Sequence, residues 1–214
     1  MYRLRVRFKR GPEIKFISHL DIVRLWQRAF RRAGIPVAYS EGFNPHPRLS
    51  LAAPLALGVT SEAELMDIVT TRGVSPHNFE ESVNRQLPPG IEILQVYLVA
   101  TTLPSLQSQI GYAEYRVEVE TEKNEEDIRS TLDSLLSREH LPWQHQRDTG
   151  PRSYDLRALI NNLWLASCCS GYCTIGMRLR CDSGGSGRPE QVVKALGFKK
   201  PHSIHRFRLI LETS

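Results

Sequence analysis

His19 stands directly behind Ser18, a residue able to cap a helix by accepting the backbone N–H three positions on. Near a helix N-terminus the dipole disfavours the imidazolium. A neutral His19 there suits a general base or acid, or a hydrogen-bonding recognition group. On a helical projection it falls toward the apolar side, so a half-buried histidine satisfied by backbone is an equal expectation. Arg24, Arg28, Arg31 and Arg32 follow at spacings of four, three and one. Those spacings gather side chains on one helix face, and the planar guanidinium fork matches phosphate oxygens two at a time. A solvated basic face without a partner is the plain alternative.

Tyr39-Ser40-Glu41-Gly42-Phe43-Asn44-Pro45-His46-Pro47-Arg48 then forms a proline-stiffened loop. Tyr39, Phe43, His46 and Arg48 have groups that stack on or bond to a nucleobase, and Asn44 has an amide that reads a base edge. The alternative is a structural loop whose aromatic plugs the core. Far along the chain, Asp182-Ser183-Gly184-Gly185-Ser186-Gly187-Arg188-Pro189 leads into a short helix. Free amides at Gly184, Gly185 and Gly187, with the Arg188 charge, would make an anion cradle; a merely flexible turn is the competing reading. A fifth group, Trp143-Gln144-His145-Gln146-Arg147 with Arg152, Tyr154, Asp155 and Arg157, mixes aromatic, polar and basic residues without matching a catalytic template.

P-loop, nucleophile-elbow, H-E-x-x-H, dinucleotide and C-x-x-x-C-x-x-C patterns are all absent, so the residues call for no metal or cofactor. The four cysteines, Cys168, Cys169, Cys173 and Cys181, contain no C-x-x-C pair and are expected to be reduced thiols. No apolar run is long enough to span a membrane and the N-terminus has no apolar leader, so a cytoplasmic protein is expected.

Charge is unevenly placed. The chain carries a net +5, yet residues 1–58 alone hold eleven basic and three acidic residues, so everything after them is net acidic. A segment this skewed suits an anionic partner.

The elements that must position these groups can be read from periodicity. Tyr2 to Phe8 alternates as a half-buried strand. A helix from about 18 to 33 ends at Gly34, with Ile22, Val23, Trp26 and Phe30 opposite the arginines. Residues 35–58 are an ordered loop or hairpin; a strand over 64–70, a helix from Ser75-Pro76 to about Leu87 and a strand over 91–100 follow. Residues 101–111 look like a linker. The pattern then restarts, with a strand from Tyr112, a helix capped at Asn124, an irregular polar stretch over 142–154, a strand within 155–166 (where the spacing also permits a helix), a strand over 173–181, a helix at 188–197 and a strand over 203–212. The fold class is therefore α+β, with two tandem ferredoxin-like (βαββαβ) domains, residues 1–100 and 112–214.

Phe16-Ile17-Ser18-His19-Leu20-Asp21, the Tyr39-to-Pro47 stretch and the Gly184-to-Gly197 segment resemble the bacterial radical-SAM-linked protein family, over essentially the whole chain. The resemblance implies an accessory role beside a radical S-adenosylmethionine protein, which would bring the radical chemistry. Members tend to be encoded near an RNA-processing ribonuclease and ribosomal proteins, which implies RNA. A looser likeness is to the CRISPR repeat-processing endoribonucleases, which also have tandem ferredoxin-like domains, a histidine after the first strand and a late glycine-rich loop; here that loop precedes the last helix. The reading is an RNA-binding or substrate-presenting protein working with a radical S-adenosylmethionine enzyme in RNA modification. The alternatives are a metal-independent endoribonuclease using His19, and a protein-interaction module that binds no nucleic acid.

Overall fold

The computed structural model describes residues 1–147 and 150–212, with Gln146 and Arg147 described by backbone alone. It is a mixed α+β structure in two compact units, Met1–Ile110 joined by Glu212, and Gly111–Leu211. No helix among the described residues is long and apolar enough to cross a membrane.

The first unit runs β1 (Tyr2–Arg10), α1 (His19–Arg32), β2 (Leu49–Leu51), β3 (Thr60–Thr70), α2 (Pro76–Asn84) and β4 (Ile91–Val99). Its strands lie in the order β4-β1-β3-β2, every pair antiparallel. Alternation along β1 buries Leu4, Val6 and Phe8 under the helices. Ser18 caps α1 by accepting from the Asp21 amide, and Gly34 ends it at φ +66, where the Ile35 amide returns to the Phe30 carbonyl. Trp26, Ala29 and Phe30 are fully or almost fully buried. Trp26 meets Phe8 edge-on at 4.9 Å between centroids and stacks on Phe30 at 5.5 Å.

The stretch from residue 101, expected to be a linker, belongs to this unit. Leu106 is fully buried. Arg3 donates to the Leu103 and Pro104 carbonyls, Gln107 to the Leu51 carbonyl, and Arg5 to Gln109. One apolar residue and several carbonyl acceptors hold a segment whose composition is that of a tether.

The second unit runs β5 (Ile110–Glu120), α3 (Glu125–Leu136), β6 (Pro142–Arg147), β7 (Gly150–Asp155), β8 (Ile160–Cys169), β9 (Tyr172–Asp182), β10 (Gly185–Ser186), α4 (Pro189–Ala195) and β11 (Pro201–Leu211). Here β8, β9, β5 and β11 are successive neighbours, and the two-residue β10 pairs with β9. Asn124 caps α3, and its buried face is Ile128, Leu132 and Leu135. The polar stretch read as irregular is a regular antiparallel hairpin, β6–β7, inserted between α3 and β8.

A second correction concerns the thiols. Ser170 and Gly171, both at positive φ, turn β8 into β9 and set Cys168 opposite Cys173, with Cα atoms 4.1 Å apart. These two are disulfide-bonded; Cys169 and Cys181 are not.

Asp67 on β3 is buried between Arg3 and Arg5, at 2.7 Å from Arg5 Nε. The guanidinium pKa of Arg5 is raised: burial acts against the charged form, but the hydrogen bond and charge of Asp67 outweigh it. Removing one partner strands the others in the interior, at a cost of about 3 to 5 kcal/mol. Asp67→Ala is expected to lower unfolding free energy by that amount in urea titration. A loss below about 1 kcal/mol, as for surface pairs, would show that the cluster does not hold the unit.

Candidate functional site

Packing Trp26 and Phe30 inward turns the opposite side of α1 outward. Arg24, Arg28, Arg31 and Arg32 are all exposed. Three of them, Arg24, Arg28 and Arg32, line an open groove of about 780 Å³ between α1 and the end of α2. Arg85 joins them from the residue after α2, and Phe16, 72% exposed, lies at the groove's edge. Arg31 is not on this groove.

The arginines are not equivalent. Arg32 donates through Nη2 to the Gln86 carbonyl at 2.6 Å and through Nε to Gln86 Oε1 at 3.2 Å, which ties the end of α2 to α1. Arg24 reaches Asp21 at 3.1 Å. The Ser18 hydroxyl, then Arg24, hold the Asp21 carboxyl below the usual carboxylate range, and the Arg28 charge adds to this. Arg85 pairs with Glu81. Arg28 has no hydrogen bond or ion pair with any described residue and is the cation most available to an outside anion. Arg85 escapes sequence reading because it lies more than fifty residues along the chain, at the end of α2; only the α1–α2 packing brings it alongside.

His19 is exposed rather than half-buried. The first turn of α1 reaches past the core, as Leu20 (65% exposed) also shows. Among the described residues His19 has no hydrogen-bonded partner that would orient it.

The Tyr39-to-Arg48 loop is a hairpin. The Ser40 amide donates to the His46 carbonyl at 2.8 Å, the His46 amide to Ser40 Oγ at 2.9 Å, and the Arg48 amide to the Ala38 carbonyl at 2.8 Å. Phe43 is fully exposed at the tip and Tyr39 is 52% exposed, so no aromatic plugs the core from here. Asn44, His46 and Arg48 are exposed too, and Arg48 Nη1 lies 3.4 Å from Met1 Sδ.

In the second unit the glycine-rich turn differs from the expected cradle. The amides of Gly184 and Gly185 donate to Asp182 Oδ1 at 2.7 and 3.1 Å, and that of Gly187 to the Arg180 carbonyl at 2.9 Å. The chain's own carboxylate occupies the place expected for an external anion. Glycine is needed for close packing instead. A Cβ on Gly185 would stand 2.6 Å from Leu159 Cδ2, and one on Gly187 would stand 2.9 Å from Leu179 Cβ. Arg188 remains exposed, with Nη1 3.3 Å from His145 Nε2 on β6, so the fourth and fifth residue groups meet.

Asp155 is held on the other side of that hairpin. Its Oδ2 lies 2.8 Å from His140 Nδ1, and its Oδ1 accepts the Leu141 and Arg157 amides. The His140 hydrogen bond, then the Leu141 amide, depress its pKa. His140 has no signal in the sequence, because it is exposed and lies outside any periodic pattern.

Burial works to raise the Asp182 carboxyl pKa, yet Arg180 and the Gly184 and Gly185 amides prevail and hold it below the usual value. A depressed carboxylate contributes stability above its unfolded pKa, about 3.9, and loses it as pH falls through the lower folded value. The protection factors of the Gly184 and Gly185 amides, their exchange rates taken against the intrinsic rate at each pH, are therefore expected to hold down to about pH 4 and to fall only below that. Asp182→Asn should abolish this dependence. A protection factor that already falls well above pH 5 would contradict the turn's wiring.

No curated protein matches the chain. In fold it is similar to a chain of a Cbf5–Nop10–Gar1 complex, with TM-score 0.53 and 8% identity over 96% of this chain and 48% of that one. It is also similar to a chain of an H/ACA RNP bound to a substrate RNA containing 2'-deoxyuridine, with TM-score 0.51 and 7% identity over 96% and 47%. At such identities the likeness is one of fold alone, and the chain spans about half the length of these neighbours. The bacterial family described as an uncharacterized protein conserved in bacteria (DUF2344) matches residues 3–189, and the chain belongs to that family.

Proposed function

We propose that this chain is an RNA-binding accessory protein that holds or presents RNA to a radical S-adenosylmethionine enzyme. The observation that carries the RNA part is the α1–α2 groove: Arg24, Arg28, Arg32 and Arg85 line it, and Asp21 is the one carboxylate among the described residues that do so. Guanidinium forks bond phosphate oxygens, and the exposed Phe16 ring offers a sequence-tolerant surface for a base. The hairpin bearing Tyr39, Phe43, Asn44, His46 and Arg48 supplies a second set of exposed stacking and hydrogen-bonding groups.

The radical-enzyme part rests on the family resemblance of the His19, Tyr39-to-Pro47 and Gly184-to-Gly197 motifs. The strand order of each unit supports a tandem ferredoxin-like reading, since β4-β1-β3-β2 recurs as β11-β5-β9-β8. One structural neighbour belongs to an assembly bound to a substrate RNA; shared fold lends that only indirect support.

Binding to a fluorescein-labelled single-stranded RNA should weaken steeply with salt, by roughly 0.7 in log–log slope for each phosphate neutralised. Arg24→Ala/Arg28→Ala is expected to weaken binding about tenfold and flatten that slope by about 1. Phe16→Ala should weaken binding by a similar factor without changing the slope, because stacking releases no counterions. Anisotropy with no salt-sensitive binding by the wild-type chain would refute the RNA reading. Co-expression with a radical S-adenosylmethionine enzyme tests the rest: co-purification at constant stoichiometry is expected, and separation on the first column would refute the accessory role.

A further inference from the structure

The second unit has a basic and aromatic face of its own, apart from the α1–α2 groove. In the β6–β7 register Trp143 stands opposite Tyr154 and His145 opposite Arg152, so these four share one face of the hairpin. Pro142, Asp155, Gln144 and Ser153 take the other. Three contacts fix the first face against α4. Tyr154 Oη donates to Gln191 Oε1 at 2.5 Å, Arg188 Nη1 lies 3.3 Å from His145 Nε2, and Lys194 Nζ sits 5.9 Å from the Trp143 ring centroid.

We infer that this face, formed by Trp143, His145, Arg152, Arg188 and Lys194, is a second contact for single-stranded RNA. The inference rests on the RNA reading of the first unit. Arg152, Arg188 and Lys194 are exposed, and none is ion-paired with a carboxylate among the described residues. The nearby Asp155 is engaged by His140 and two amides on the opposite face, which leaves Glu190 as the acid within α4 itself. Two guanidiniums and an ammonium beside a partly exposed indole combine phosphate neutralisation with base stacking.

A protein-docking face would be built differently. The fully buried core of a protein-docking patch is more apolar than its rim and poor in lysine, whereas this face carries Lys194 and, among the described residues, no exposed large hydrophobic residue from the hairpin or α4. The amides of the glycine-rich turn take no part, since Asp182 and Arg180 occupy them. Its role is to deliver Arg188 to His145.

The test uses the full chain and a labelled single-stranded RNA of about twenty nucleotides, long enough to cover more than one site. Arg152→Ala/Arg188→Ala/Lys194→Ala is expected to weaken binding about tenfold or more and to flatten the salt slope by about 2. Trp143→Ala should weaken it about tenfold at constant slope. In the wild-type chain, RNA carrying 4-thiouridine should cross-link to the peptide spanning residues 142–157, a readout that needs no variant to fold. Wild-type chain that binds no RNA removes both this inference and the function above. Wild-type chain that binds RNA, responds to Arg24→Ala/Arg28→Ala, and neither responds to the triple substitution nor cross-links at the hairpin leaves the function standing. That result overturns this inference alone and gives the face to a protein partner or to solvent.

Discussion

Burial of Trp26 is the constraint on which the first unit's surface chemistry depends. Its ring is fully buried, edge-on to Phe8 of the central strand and stacked on Phe30 one turn along the same helix. Exposing a core aromatic of this size forfeits about 3 to 5 kcal/mol, far more than an exposed arginine gains from any rotation of α1. The orientation of Arg24, Arg28 and Arg32 is thus set by apolar packing. A basic groove then needs only basic residues at positions that the core has already turned outward. Arg32 then couples the two roles, because its bonds to Gln86 place the end of α2, and with it Arg85, beside the ladder.

The same unit shows why net charge alone is a poor guide to a binding surface. Much of the basic excess of residues 1–58 is already used internally. Arg3 and Arg5 share the buried Asp67 and hold the segment after residue 101 against β1. Arg7 donates to the Glu62 carbonyl, Lys9 pairs with Glu92, and Arg10 donates to the Ile17 carbonyl. On a strand the alternate residues share one face with their neighbours' side chains and carbonyls, so cations there find internal acceptors. On the outer face of a helix the backbone carbonyls are spent within the helix, and Arg28 and Arg31 stay available.

Legibility followed the same physics. The faces of β1 and α1 could be read because one side of each is uniformly apolar and repeats at the period of its element. The caps at Ser18, Ser75 and Asn124 could be read because a side-chain acceptor three residues before an amide is a local property. The β6–β7 hairpin could not, since Pro142 to Asp155 has no run of alternating apolar residues and lies on α4 through single contacts such as Tyr154 to Gln191. Residues 101–109 misled for a related reason, as one buried leucine and side chains donating to its carbonyls leave no pattern. The Cys168–Cys173 bond depends on strand register around a two-residue turn, which spacing alone does not reveal.

The glycine-rich turn makes the general point most sharply. Glycines before a helix are compatible with two opposite arrangements: amides left open for an anion, or amides closed on a side chain while the missing Cβ atoms admit a neighbour. The deciding residue is Asp182, which stands two residues before Gly184 and can reach both its amide and that of Gly185. An aspartate at that offset favours a self-closed turn for the same reason that it favours helix caps and Asx turns. Closure relocates the functional bet from backbone to side chain. The turn then acts as a rigid arm whose last residue, Arg188, is delivered to His145 and the aromatic hairpin. A polar loop with an acid at its entrance should accordingly be read for the side chain it positions.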